Sequence, residues 1–351
     1  MKSYYIIPIF IPEKACPQRC IYCNQYNITQ NHNILTENDI INIIEQHLST
    51  IPQNSKKRIA FFGGTFTGMS LQEQNFYLNL ANRYIKKGLI DNIQLSTRPD
   101  YINQEILENL KKHNVKIIEL GAQSLDDEVL KKCNRGHSAE KIIESSNLIN
   151  SYGFDLGLQM MIGLPLDTIE KSVKTATQIV NLKAKYTRIY PTLVIKNTAL
   201  ETLYRKGLYK PLTLNEAVLW TKEVYKIFIE NDVTILRVGL HPTEGFKNNE
   251  DLIAGPFHVA FKEIVLTKIW GEIISDKINL EIKKLKNSKT NSNNTNINIK
   301  GIIIETNINE QHYAIGHKSE NKNNLKKHFR KVFFKTNPSL HNFCTNITFI
   351  S

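Results

Sequence analysis

Tyr4-Tyr-Ile-Ile-Pro-Ile-Phe-Ile11 leads, four residues later, into Cys16-Pro-Gln-Arg-Cys20-Ile-Tyr-Cys23. The first run is β-branched and aromatic with no helical period, which predicts a strand. The second places three thiols in one loop, separated by three and then two residues. A strand that ends in chemistry is the pattern of sheets that carry their sites on the loops after the strands' carboxyl ends.

Downstream, strands and helices alternate. A helix is predicted from Thr36 to about Leu48, with Asp39 three residues after the cap. Arg58–Phe62 reads as a strand ending in Gly63-Gly64, and Ser70 with Glu73 opens a helix to about Lys87. Strands follow at Ile93–Ser96, Val115–Leu120, Phe154–Met161, Tyr186–Ile195 and Val233–Val238. Between them lie helices at Asn103–His113, Ser138–Ser151 and Thr168–Leu182, and one from Thr213 to about Glu230. Thr198 with Glu201 and Thr213 with Glu216 read as capping boxes, and Phe257 to about Leu285 looks helical. Such alternation gives right-handed βαβ units on a parallel sheet. The expected fold class is α/β: a partial (β/α)6-type TIM barrel with a small α+β C-terminal extension. The unusual residues fall at strand ends, as a one-rim site requires. They are the cysteine loop, Gly63-Gly64-Thr65, Ser96-Thr97-Arg98, Gln123-Ser124 and Gly163-Leu164-Pro165.

Length and composition bound the rest. The chain has 351 residues, five cysteines and a net charge of +12. No apolar run reaches the roughly 18 residues of a membrane helix, and the apolar start is short, broken by Pro8 and Pro12, and a poor secretory leader. Five cysteines, three of them in one loop, point to a cytoplasmic metal site rather than a disulfide scaffold. From Lys283 onward there are 12 basic against 3 acidic residues, a net of +9, so the anionic-partner signal is local. Asn287–Ile299 holds six asparagines in thirteen residues and reads as a linker. The expected organisation is a core barrel with its helical extension over 1–285, a linker over 286–299, and a basic module over 300–351. In that module, Lys300–Glu305, Tyr313–Ile315 and Phe343–Ile350 look like strands, and Asn323–Lys335 like a basic helix. Either the module contacts nucleic acid or it is a capping subdomain in a Lys- and Asn-rich chain.

Three thiolates with no obvious fourth ligand suit an iron–sulfur cluster with one open iron. A zinc knuckle with a distant ligand and a redox cysteine pair are the rival readings of the loop alone.

The C-x3-C-x2-C spacing with Tyr22 before the last cysteine resembles the signature of radical S-adenosylmethionine (SAM) enzymes. The resemblance implies a 4Fe-4S cluster on Cys16, Cys20 and Cys23. SAM would sit on the open iron and be cleaved reductively to a 5′-deoxyadenosyl radical. Gly63, Gly64 and Thr65 occupy the place of the family's glycine-rich stretch. Gln123 and Ser124 lie where the family approaches the cofactor, and Arg135 matches the arginine that pairs with the SAM carboxylate in the coproporphyrinogen-oxidase branch. Ser96 stands where relatives often have glutamate, and Gln159 where that branch has an aspartate contacting the ribose. Gly-Gly-Thr-Phe (63–66), Thr-Arg-Pro-Asp-Tyr (97–101), Asn-Arg-Gly-His (134–137) and Ile-Tyr-Pro-Thr-Leu-Val-Ile-Lys (189–196) resemble the radical SAM domain of the elongator complex's catalytic third subunit. That resemblance covers about Ile7 to Tyr209.

Three departures make the chain look like a stand-alone bacterial member. The stretch after the barrel looks too short for an acetyltransferase domain, the extra cysteines that hold zinc in that subunit are missing, and Glu13 stands where bacterial relatives usually have histidine. The implied substrate is tRNA or another RNA, reached through the basic C-terminal region. The implied partner is an external flavodoxin- or ferredoxin-type electron donor. A small-molecule substrate of the porphyrinogen kind, and a non-catalytic metal-binding protein, are the alternatives. Lys196, His241 and His258 are candidate catalytic residues. His137 reads equally as a site residue or as a residue entering the helix capped by Ser138. Cys133 reads as a small buried residue near Arg135.

Overall fold

In the computed structural model, residues 4–11, 16, 20–24, 35–240, 244–248, 250–288 and 299–350 are described. They form two compact units that divide at 259/260.

The first unit is built on strands β1 (Tyr5–Ile11), β2 (Lys57–Gly63), β3 (Asn92–Thr97), β4 (Val115–Gln123), β5 (Asp155–Ile162), β6 (Tyr186–Pro191) and β8 (Thr234–Val238). They pair in that order, every pair parallel, and leave β1 and β8 as edges. Each strand neighbours its predecessor, so the sheet winds one way, as a partial α/β barrel does. The short β7 (Val194–Ile195) and β9 (Leu252–Ala254) pair separately and antiparallel. The expected strand Tyr186–Ile195 is therefore two: β6 ends at Pro191, which cannot donate to a ladder.

The helices begin where the sequence provides caps. Thr36 with Asp39 caps α1 (Glu37–Thr50), and Ser70 with Glu73 caps α2 (Leu71–Lys86), each with both reciprocal bonds. Thr213 with Glu216 does the same at Leu214–Glu230. At Thr198 only half of the expected box forms. The Thr198 side chain accepts from Glu201 N, but the Glu201 carboxylate takes Asn197 N at 2.7 Å and Arg205 Nε at 2.8 Å.

Strand alternation gives the sheet two faces. Ile59, Phe61, Ile93, Leu95, Ile118, Leu120 and Leu158 are fully buried on the helix side, where Phe61 meets Tyr77 of α2 edge-on at 5.8 Å. The inner face is different: Arg58, Gln94, Glu119 and Arg188 lie on it. The guanidinium of Arg188 on β6 stands 4.8 Å from the ring centre of Phe62 on β2. In a flat sheet the two strands would be about 19 Å apart, four spacings of about 4.8 Å. The contact therefore measures how strongly the sheet curls.

The second unit contains the long helix Phe261–Ser288 and a three-stranded sheet. The strand Gly301–Thr306 is central, parallel to Lys331–Thr336 and antiparallel to Thr345–Ile350. Trp270 and Ile274 of the helix pack with Ile302, Ile304 and Ala314. That core places the boundary at 259/260 instead of 285, because the helix builds its own core with these strands. The helix continues to Ser288, and most of the expected linker, 289–298, lies outside the described residues.

Two further expectations change in this unit. Tyr313–Ile315 belongs to the helix Gln311–Ile315, where Ala314 N bonds to Glu310 O at 3.0 Å and Gly316 (φ +91°) ends the turn. Asn323–Lys335 is not one helix. Glu320–Lys326 is helical, and Lys331–Thr336 is a strand whose Val332 and Phe334 face the core while Lys331, Phe333 and Lys335 are exposed. A period of two overrides the helix propensity of lysine there. Among the described residues no helix is long and apolar enough to cross a membrane.

Candidate functional site at the rim of the sheet

The cysteine loop follows β1 and is pinned on several sides. Ile21 N donates to Cys133 O at 3.2 Å, Leu200 N to Ile21 O at 2.7 Å, and Asn24 Nδ2 to Lys196 O at 3.1 Å. Cys20 and Tyr22 are buried in an apolar cluster with Val129, Cys133, Leu164 and Tyr209. The Tyr209 hydroxyl donates to Gly163 O at 2.7 Å, tying the Gly163-Leu164-Pro165 turn to that cluster. The described residues 20–24 of the loop thus lie beside segments that follow β4, β5 and β7.

All five cysteines are free thiols. Cys16 Sγ stands 3.2 Å from Thr65 Oγ1, and Cys20 Sγ accepts from Arg135 Nη1 at 3.1 Å. Among the described residues no three His, Cys, Asp or Glu side chains gather closely enough to hold a metal ion. Cys133 is fully buried, and burial pushes its thiol up to about 12. It is a packing residue against the loop, as expected of a small buried side chain.

Gly63 has a local reason to be glycine. Its φ is +107°, and a Cβ would sit 2.3 Å from Ile11 O at the end of β1. The turn brings Gly64 N to Ile11 O at 3.4 Å and carries buried Thr65 to Cys16.

Arg135 is buried and held on all sides. Asn134 (φ +54°) and Gly136 (φ +76°) flank it in left-handed backbone, turning the segment so that the guanidinium points inward. Its Nη2 donates to Gly121 O and lies 3.2 Å from His137 Nε2. Its own carbonyl accepts from Arg98 Nη2 at 2.6 Å, and Arg98 is clamped by both Asp100 oxygens at 2.9 and 2.8 Å. Burial opposes its charge, yet Tyr22 and Cys20 outweigh that and hold the proton more firmly than usual. For His137, burial first and Arg135 second push the imidazole down to about 4. His137 is therefore neutral at pH 7, and its Nε2 accepts from Arg135.

Ser96 and Gln159 meet, although β4 runs between their strands. Gln159 Nε2 donates to Ser96 Oγ and to Glu119 Oε2, both at 3.3 Å. In register, Gln159 pairs with Gly121 and Ser96 with Glu119, so the bridge runs diagonally across β4. Gln123 adopts φ +69° beside Gly121, and Ser124 Oγ accepts from Asp126 N at 3.1 Å.

Lys196 is exposed, and its backbone carbonyl accepts from Asn24 of the loop. His258 is half-buried after β9, and His241 lies outside the described residues. Sequence reasoning missed Glu119, Gln94, Arg58, Arg188 and the clamp made by Arg98. Polar residues at alternate positions of otherwise apolar strands were the available signal.

Four buried polar atoms here have no partner: Tyr22 OH, Gln123 Oε1, Arg135 Nε and Arg98 Nη1. Buried orphans of this kind mark a place built for something polar. Three thiols in one loop are the soft donors that iron–sulfur clusters take. The unpaired donors and acceptors beside them suit a small zwitterion. The residues present therefore fit a cluster with SAM next to it.

A model of the radical SAM superfamily matches residues 11–179, and a model of the radical SAM C-terminal domain matches 184–270. A tRNA uridine(34) acetyltransferase of Methanocaldococcus infernus is 29% identical over 195 residues, 50% of this chain and 36% of that protein. The heme chaperone HemW of Bacillus subtilis is 28% identical over 230 residues, 63% of this chain and 58% of that protein. The solved structure of the archaeal Methanocaldococcus infernus Elp3 with an N-terminal deletion matches in fold. Its TM-score is 0.58 at 20% identity, over 75% of this chain and 62% of that one. The matches thus span between about a third and under two thirds of each of these proteins.

Proposed function

The chain belongs to the radical SAM superfamily, whose enzymes use a 4Fe-4S cluster and SAM, and from that premise we propose that it modifies tRNA or another RNA. When bound, the cluster and SAM supply an adenosyl radical that abstracts a hydrogen atom. Cys16, Cys20 and Cys23 would hold the cluster. Arg135, fixed by Arg98, Gly121, His137 and Cys20, would meet the SAM carboxylate through its unpartnered Nε. Gln159 commits its NH2 to Glu119 and Ser96, which leaves its carbonyl oxygen to accept from a ribose hydroxyl. Gly63, Gly64, Thr65, Gln123 and Ser124 complete the rim, and Tyr22 covers the loop from the apolar side. An external one-electron donor supplies the reducing equivalent.

The observation that favours RNA is in the second unit. Lys331, Phe333 and Lys335 share one exposed face of an edge strand, an aromatic ring between two cations. Ring-on-base stacking with flanking phosphate contacts is a common way to grip single-stranded nucleic acid. The relative named as a tRNA acetyltransferase supports the same reading. The longer match to a heme chaperone supports the alternative of a small-molecule ligand.

Two measurements test the proposal. After anaerobic reconstitution, dithionite and SAM should yield 5′-deoxyadenosine, and Cys20→Ala should yield none; turnover by that variant would sink the cluster assignment. Bulk tRNA should bind with a negative salt slope, and Lys331→Glu with Lys335→Glu should weaken it by about tenfold and flatten the slope. Unchanged affinity in that variant would remove this strand from the RNA reading.

A further inference from the structure

The three-stranded sheet of the second unit has two unlike faces. On one, Ile302 and Ile304 pack with Trp270 of the helix Phe261–Ser288, and Val332 and Phe334 join them. Strand alternation turns the intervening residues to the opposite face. Register fixes their places there. Phe333 pairs with Ile303, and Ile303 with Thr348 of the third strand. Two residues earlier on the central strand, Gly301 lies between Lys331 and Ile350. Two residues later, Glu305 lies between Lys335 and Asn346.

The middle of this second face is apolar. Phe333 is 47% exposed, and Ile303 and Ile350 are half-buried. Gly301 lets Ile350 lean across: a Cβ on it would lie 3.3 Å from Ile350 Cδ1 and 3.0 Å from Lys331 Cβ. A ring beside two aliphatic chains makes a floor about two strand spacings wide, about 10 Å. The exposed ring is built into the register, because turning Phe333 inward would turn Val332 and Phe334 out of the core.

The border of the floor differs from side to side. Lys331 and Lys335 are exposed on either side of Phe333, about 13 Å apart along the strand. Thr348 and Asn346, on the far strand, are exposed, polar and uncharged. Glu305 brings a carboxylate to this face, and it accepts from Asn337 Nδ2 at 3.1 Å. From Lys283 onward basic residues outnumber acidic ones by 12 to 3, so the surroundings favour an anionic occupant. A flat apolar floor with cations along one border suits a base with its own phosphates. A base inside a stem cannot lie on it, because its stacked neighbours already cover both of its faces. Double-stranded RNA is gripped by shape and backbone instead.

We propose that this sheet face binds an unpaired stretch of RNA, a loop or an end rather than a stem. One base stacks on Phe333 over Ile303 and Ile350, flanking phosphates meet Lys331 and Lys335, and the base edge lies toward Thr348 and Asn346. The proposal deepens the RNA reading and rests on it. That reading needs only phosphates at the two lysines, whereas stacking needs the ring and a strand with its bases free.

Fluorescence anisotropy with the full chain tests it, at several salt concentrations. The probes are a labelled uridylate octamer, a blunt RNA duplex of the same strand length, and inorganic polyphosphate as competitor. The octamer should bind more tightly than the duplex, and polyphosphate should compete poorly. Phe333→Ala should weaken octamer binding about tenfold and leave its salt slope unchanged, because the ring meets no phosphate. Phe333→Trp should keep the affinity, and Lys331→Gln should instead flatten the slope by about one. Circular dichroism melts of the Phe333 variants show that the fold is retained. Equal binding of duplex and octamer, full competition by polyphosphate, or unchanged affinity in Phe333→Ala would overturn the stacking site. Bulk tRNA binding with a lysine-dependent salt slope would then stand alone. If neither octamer nor tRNA binds, the RNA reading fails and the stacking site falls with it. Dimerisation in sedimentation that Phe333→Ala abolishes would assign the face to a second copy and overturn the proposal as well.

Discussion

The two faces of the seven-stranded sheet are made by the same strands and do opposite work. On the helix side, Ile59, Phe61, Leu120 and Leu158 exclude water completely and can be exchanged for other apolar side chains of similar volume. On the inner side, Arg58, Gln94, Glu119 and Arg188 are tied by directed bonds that tolerate no exchange. The outer face makes the fold favourable. The inner face fixes which side chains stand where, at an energetic cost that the outer face carries. A buried ion pair seldom adds net stability, but removing one partner is expensive.

That contrast can be broken by mutation. Glu119→Gln leaves Arg188 buried without its carboxylate and should cost about 3–5 kcal/mol in urea unfolding. The double variant Glu119→Gln, Arg188→Met should recover most of this. Leu158→Ala on the outer face should cost a similar amount, about 2–5 kcal/mol, but no second substitution at Arg188 should relieve it. If Glu119→Gln costs under about 1 kcal/mol, the inner network is not the coupled unit described here. A smaller effect comes from Gly157→Ala. Its new Cβ meets Glu119 Cγ at 2.8 Å, so about 1–3 kcal/mol of overpacking is expected. Glu119→Ala in the same background should reduce that increment by removing the clash.

The same contrast explains what the sequence disclosed. The outer face was legible because apolar runs of strand length between capped helices leave one topology, and six of the seven parallel strands were placed nearly as found. The sixth, β6, blurred where Tyr186–Ile195 continues its apolar pattern past Pro191, although the chain there leaves one sheet for another. The rim candidates stood out in the sequence because Cys16, Cys20, Cys23 and Gly63 come at or just after strand ends, whereas Arg135 follows a short helix after β4. The inner face did not stand out. Glu119 and Arg188 are 69 residues apart, and each alone looks like an ordinary charged residue. Only the register, with Gly157 as a gap between them, brings them together. In the second unit, Lys-rich composition obscured the period-two pattern of Lys331–Thr336, and a helix was expected where an edge strand stands.

At the rim, the contrast becomes one of pH. The apolar outer face carries no group that titrates near neutrality, so a local acid effect must come from the polar side. His137 is a defined source. Its folded value is about 4 against an ordinary 6.5, with burial as the first cause and Arg135 as the second. A depressed imidazole is neutral in the folded protein and protonated in the unfolded chain below about pH 6.5. Falling pH therefore favours unfolding, progressively from about 6.5 down to about 4. Protonating Nε2 would also replace its acceptor lone pair with a donor facing Arg135. Asp167 acts in the opposite sense: burial raises its carboxyl to about 6, so acidification relieves a penalty that is complete above that pH. The wild-type stability curve sums the two, and a His137→Gln variant separates them. Between pH 7 and pH 5 the wild type should lose about 1 kcal/mol relative to His137→Gln, a value discounted for the partial exposure of the ring. Parallel curves for the two proteins would show that Arg135 is not held by a neutral His137, and its orientation would then rest on Arg98 and Gly121.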